Sequence, residues 1–207
     1  MYRPKAFARD DPDELYAALG AAGLATIVTN GPDGFLAAHV PLLLDRDTPD
    51  QTALLGHVAR ANPLWRSPGR ALVVVQGPDA YMSPSLYATK ATNPRVVPTW
   101  NYVAVHVHGE LVVHDDPAWV TQLVTRLTNH HEHDRDERWA VSDAPADYIA
   151  SMAKAIVGIE IRIDTIEGSW KLSQNRPADD RASIVEHFAT GTPGQRAIAD
   201  LLGTEEG

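Results

Sequence analysis

From Tyr102 to His108 the chain alternates without a break, with Tyr102, Ala104, His106 and His108 on one side and Val103, Val105 and Val107 on the other. A period of two fits an extended strand and no helix, and β-branched valine packs well on a pleated surface. One face of this strand is therefore core, and the other carries an aromatic ring and two imidazoles. The run extends over residues 100–113, interrupted by Gly109 and Glu110. Further short apolar runs lie at 25–29, 35–44, 52–58, 71–76 and 156–163, separated by turn clusters such as residues 30–34. Short strands punctuated by Gly, Pro, Asn and Asp predict an antiparallel barrel, and the first two predict a hairpin.

Helical spacing occurs in residues 11–23, where Leu15, Tyr16, Leu19 and Ala22 fall on one side, and again in 117–128, 145–155, 182–189 and 194–202. Pro117 and Pro145 open their segments, where a first helical turn tolerates proline. Residues 129–138 read as a polar connection, in which His130, His131, Glu132 and His133 form a solvated face rather than a metal site. The fold class is mainly β with flanking helices (α+β). No repeat or composition shift divides the 207 residues. They predict a single domain, 1–207, with a helical tail from about 178 to 207.

Composition limits the chemistry. Without cysteine there is no thiolate nucleophile, no Cys-ligated zinc and no iron–sulfur cluster, so a metal must sit on His, Asp or Glu or arrive inside a cofactor. Nine histidines stand against four lysines. Eighteen basic and 27 acidic side chains give a net charge of −9, which disfavours direct DNA binding, because such affinity comes from clustered Lys and Arg. No apolar run approaches the ~20 residues of a membrane span, and the first residues are too polar for a signal peptide. The chain reads as soluble and cytoplasmic, without membrane contact. Dinucleotide, P-loop and nucleophile-elbow motifs are absent.

Three stretches carry candidate chemistry. In GHVARANPLW, His57, Arg60, Asn62 and Trp65 put an imidazole, a guanidinium, an amide and an indole at one strand end. They suit an anionic planar ligand, or equally a polar strand end with a satisfied histidine and a core tryptophan. The second stretch runs from Ser83 and Ser85 through Lys90 to Thr99, Trp100, Asn101 and Tyr102. Its aromatic faces and hydroxyls suit the wall of a pocket or a packed crossover. In the third, Lys171, Gln174, Asn175 and Arg176 crowd donors and two charges before Pro177, an arrangement suited to phosphate or propionate.

Five motifs in order, MYRPKAF, GHVARANPLW, QGPDAYMSPSLY, VPTWNYVAVHVHG and KLSQNR, resemble the PaiB-like family, whose members are labelled FMN-binding negative transcriptional regulators. The resemblance covers nearly the whole chain. It implies a split β-barrel of the FMN-binding and pyridoxamine-phosphate-oxidase-like type, working as a homodimer with cofactor sites where subunits meet. It also extends to the haem-dependent piperazate synthases, which cyclise N5-hydroxy-ornithine to piperazic acid by forming an N–N bond.

On that reading the protein is a haem-dependent enzyme. His57 ligates the iron of haem b, and Arg60, Lys171 and Arg176 pair with propionates or the carboxylate of an amino-acid-like substrate. Asn62, Trp65, Ser83, Ser85, Thr99, Trp100, Asn101, Gln174 and Asn175 line the cofactor, and Tyr102, Lys90 and His106 are candidates for proton transfer. The alternative is an FMN-binding regulatory or flavin-reductase-type protein, with the isoalloxazine against Trp100 and the phosphate against Arg60 and Lys171.

Overall fold

The alternating run forms the longest kind of strand in the fold, β7, Thr99–His114. Val103, Val105 and Val107 are at most 6% exposed, while Tyr102, Ala104, His106 and His108 are half-buried. The computed structural model describes residues 1–47 and 51–204. The expected tail residues 205–207 lie outside that description.

The elements run β1 (Ala8–Arg9), α1 (Pro12–Gly20), β2 (Ala25–Gly31), β3 (Gly34–Val40), β4 (Leu43–Asp45), β5 (Ala53–Ala59), β6 (Gly69–Met82) and β7. They continue with α2 (Pro117–Glu132), α3 (Ala146–Lys154), β8 (Ile156–Lys171), α4 (Ala178–Phe188) and α5 (Pro193–Thr204). The sheet order is β3-β2-β6-β7-β8-β5-β4, with β1 paired to β8. The expected hairpin is β2 with β3, paired from Ala25↔Val40 to Gly31↔Gly34. Among the described residues no helix is long and apolar enough to cross a membrane.

Two strands outrun their expected ends. β6 continues through Gly77 and Pro78 to Met82, and β8 continues through Gly168 to Lys171. Read along a sequence, Gly and Pro mark strand ends. Here the missing Cβ admits close neighbours instead: Val103 against Gly77, and Leu15 and Trp170 against Gly168. Helix α2, capped at its start by Asp116 through the amides of Ala118 and Trp119, also runs past its expected end, through His130 and His131 to Glu132. These histidines are exposed, and among the described residues no group of three ligating side chains is placed to hold a metal.

Contacts cluster in two units: Met1–Ala18, Gln76–Val105 and Glu167–Gly207 in the first, Leu19–Val75 and His106–Ile166 in the second. The units interleave along the chain, so no linker announces them and the sequence reads as one domain. In the first, α4 and α5 bury Ile184, Phe188, Ile198 and Leu202. In the second, α2 covers the sheet, with Leu123 and Leu127 packed on Ala53 and Leu55 and flanked by Leu43 and Trp119.

Candidate functional site

In the second unit, Ala53, Leu55 and His57 alternate along β5 and so share the face that α2 covers. His57 is paired in register with Gly158. A Cβ at Gly158 would run into the Trp119 ring, so the indole occupies the space a side chain would need. Trp119 stacks on His114, ring centres 4.0 Å apart, and His114 Nε2 lies 2.6 Å from Glu160 Oε2. His57 itself is half-buried, and its Nδ1 is buried without a hydrogen-bond partner.

Burial lowers the pKa of His57 and favours the neutral ring. The unfolded chain then binds a proton that the folded chain refuses, so folding stability is fully present above the ordinary imidazole value, about 6.5. It falls as the pH drops from there toward the lowered value. The variant His57→Gln is expected to flatten the melting temperature across that window relative to wild type, and an unchanged acid slope would refute the assignment.

The rest of that motif is spent on local architecture. Arg60 donates from Nε to the Lys154 carbonyl (2.7 Å), from Nη2 to the Ile156 carbonyl (3.2 Å), and from both Nη atoms to the Asp115 carboxylate. This pairing raises the Arg60 pKa and lowers that of Asp115. Asn62 Oδ1 accepts from the Leu64 amide at 2.9 Å and caps the 3-10 turn Pro63–Arg66, and Trp65 Nε1 donates to the Arg60 carbonyl at 3.0 Å. Of the four residues, His57 alone keeps a buried ring nitrogen unused.

The first unit gathers the third stretch and part of the second around a recess of about 260 Å³, lined by Phe7, Tyr87, Val97, Thr99, Asn101, Lys171, Ser173, Asn175 and Arg176. Lys171 Nζ donates to Thr99 Oγ1 at 2.6 Å and lies 6.0 Å from the centre of the Tyr102 ring. Arg176 lies 4.2 Å over the Tyr87 ring. The Ser173 hydroxyl donates to Asn101 Oδ1 at 3.1 Å. Asn101 Nδ2 and the Tyr87 hydroxyl are buried without a partner. Buried polar groups are nearly always satisfied, and here both can donate hydrogen bonds beside two cations. Such a donor set can accommodate an anion.

Several expected residues do other work. Gln174 braces its own turn, Nε2 donating to the Trp170 carbonyl and Oε1 accepting from the Leu172 amide. Ser83 and Ser85 bond each other at 2.7 Å around the 3-10 turn Pro84–Leu86. Trp100 is 52% exposed and meets Tyr81 edge to face at 6.0 Å. Lys90 is exposed in the 3-10 turn Ala88–Ala91, and His106 belongs to the second unit. Phe7, Tyr87, Val97 and Ser173 were not among the residues expected here. All four lie inside the five ordered motifs, the signal that points to them.

Residues 1–165 match a family described as "Putative FMN-binding domain". The chain is 31% identical over 206 residues to the protease synthase and sporulation protein PAI 2 of Bacillus subtilis, covering 98% of this chain and 96% of that protein. An uncharacterised protein of Aspergillus fumigatus is 31% identical over 247 residues, covering 97% and 87%. Among solved structures, the flavocytochrome Anf3 of Azotobacter vinelandii superposes with a TM-score of 0.61 at 17% identity, covering 85% of this chain and 75% of that one. The FAD and heme binding protein of Mycobacterium smegmatis superposes at 0.59 and 17% identity, covering 85% and 79%. These two share the fold, a split β-barrel. With a matched domain over residues 1–165 and a full-length relative in Bacillus, the chain belongs to the FMN-binding, PaiB-like family of split barrels.

Proposed function

We propose that this protein binds FMN with the cofactor phosphate seated in the Thr99, Lys171 and Arg176 recess, and that it acts as a flavin-reductase-type or flavin-dependent regulatory protein. The observation that carries the reading is the pair of buried, partnerless groups, Asn101 Nδ2 and Tyr87 Oη, beside two cations. A phosphate would draw on the two cations, and each partnerless group has a hydrogen to donate. When bound, FMN supplies hydride and electron transfer. The chain's part is to neutralise the phosphate with Lys171 and Arg176, with Lys171 steered by Thr99. Arg60 is left out, because its donors are committed to Asp115 and two carbonyls. The net charge of −9 favours a role without direct DNA contact. FMN titrated into the purified protein is expected to lose fluorescence saturably at one flavin per chain; no quenching at micromolar FMN would overturn the reading.

A second reading rests on His57. A neutral imidazole in which one ring nitrogen has no protein partner would hold the iron of haem b, the cofactor of the piperazate synthases that the chain resembles. The reaction is then cyclisation of N5-hydroxy-ornithine, with haem supplying the iron that activates the N–O bond. His106, in the same unit as His57, is its candidate for moving the proton. Both readings carry a homodimer, which sedimentation tests. An absorption spectrum separates them: a Soret band that disappears in His57→Ala supports haem, and twin flavin bands support FMN. A Soret band unshifted in His57→Ala removes His57 as the ligand.

A further inference from the structure

The geometry points to a second ligand site, in the second unit between α2 and the sheet, that takes a small neutral molecule carrying an amide edge, an N–H beside a C=O. The recess there holds about 180 Å³. Leu55 and Leu123, at most 6% exposed, supply an apolar floor, and Trp119 supplies a wall fixed by its parallel stack on His114. Asp45, Arg126 and Glu160 are the charged side chains of the lining. An apolar pocket with a few placed polar groups is the usual form of a small-molecule site. None of these residues belongs to the Lys171 and Arg176 recess, so the two sites stand or fall separately.

What each charged group has left to offer decides the ligand. Glu160 is engaged at both oxygens, Oε2 with His114 at 2.6 Å and Oε1 with Arg162 at 2.9 Å. Asp45 is half used. Its Oδ1 accepts from Arg126 Nη2 at 2.9 Å, while its Oδ2 has no partner among the described residues and is not one of the atoms shut away from solvent. The Arg126 guanidinium holds the Asp45 carboxyl below its ordinary range, so that open acceptor is charged at neutral pH. Arg126 spends Nη2 on Asp45 and Asp47 and keeps the donors on Nε and Nη1. An ammonium ion would meet the guanidinium, and a carboxylate would meet Asp45 and Glu160. A neutral amide edge meets neither conflict: it gives its N–H to Asp45 Oδ2, accepts from Arg126 on its carbonyl, and leaves its apolar body to the leucines and the indole.

The test titrates the full chain with valerolactam, a small cyclic amide, and with N-methylvalerolactam, which keeps the ring and carbonyl and lacks the N–H. Binding is read from NMR shifts, with the Trp119 indole resonance reporting the location. Valerolactam is expected to bind with a dissociation constant of about 1 mM, ordinary for so few heavy atoms, and the N-methyl compound about tenfold more weakly. In Asp45→Asn the amide oxygen is drawn to Arg126, which has donors only, so the NH₂ group is left to oppose the ligand N–H. That variant is expected to lose the preference and bind both compounds alike. Were the methyl group merely bulky, the preference would persist in Asp45→Asn, and that result overturns the assignment. Equal binding of the two compounds by wild type overturns it as well, as does no shift at about 10 mM valerolactam; neither measurement depends on the variant folding. Stronger binding of butylamine or butyrate than of valerolactam at the Trp119 resonance would overturn the choice of a neutral ligand.

Discussion

Replacing Lys171 and Arg176 together, as Lys171→Met and Arg176→Met, is expected to weaken FMN binding by two orders of magnitude or more and to remove most of its salt dependence. A hydrogen bond to a charged group contributes about 1.5–3 kcal/mol, and each 1.4 kcal/mol is about a factor of ten in affinity. Two such contacts therefore account for roughly 100-fold to about 20,000-fold. Methionine preserves the length of the apolar stems, so the change isolates charge from packing. The single variants are expected to differ. Lys171 is a point charge held by Thr99, so Lys171→Arg should retain much of the affinity. Arg176 lies flat on Tyr87, and Arg176→Lys gives up both that stacking and the planar fork. Fluorescence titration at two ionic strengths reads both quantities. A dissociation constant within threefold of wild type in the double variant would show that the phosphate sits elsewhere.

How far the sequence reaches is visible in particular residues. The strand β7 and its valine core are legible because alternation is a local property, carried by neighbours in the chain. The ends of β6 and β8 are not, because whether Gly77 or Gly168 ends a strand or admits a neighbour depends on Val103 or Leu15, far away in sequence. The same distinction governs the site. Lys171 and Arg176 declare themselves as a charge pair before a proline, but Thr99, 72 positions from Lys171, becomes its partner only through folding. Arg60 looks like a ligand residue because Asp115 cannot be foreseen as its partner from a separation of 55 positions. Side chains that cap or brace, such as Asn62 and Gln174, carry the same donors as side chains that bind. Only the structure shows which are already satisfied. Ser173 is the sharpest case, since a positive φ on a serine has no composition signal at all.

The largest loss of stability near the recess is expected from Asp180→Ala. Asp180 lies in the first turn of α4 and is fully buried. Its Oδ1 accepts from the Thr89 amide and the Thr89 hydroxyl, both at 2.9 Å, and its Oδ2 lies 3.0 Å from the same hydroxyl. A buried carboxylate is costly unless donors surround it, and here one threonine supplies two. Alanine leaves the Thr89 amide and hydroxyl buried without an acceptor and takes away a favourable charge at a helix N-terminus. The combined cost is about 2–4 kcal/mol. For a chain of this size that lowers the melting temperature by about 5–12 °C. Asn is a milder change, because its amide oxygen still accepts the Thr89 N–H while the threonine hydroxyl turns to accept from the NH₂. The double variant Asp180→Ala with Thr89→Val should lose less than the two singles summed, since each removes the other's partner. The tie also matters for binding, because Thr89 follows Tyr87 by two residues, and Tyr87 is the ring on which Arg176 rests. Asp180→Ala is therefore expected to weaken FMN binding as well as stability. In this it contrasts with the Lys171 and Arg176 variants, which act on binding with little change in melting. A fall of less than about 1 °C in Asp180→Ala would show that the Thr89 segment does not depend on this carboxylate.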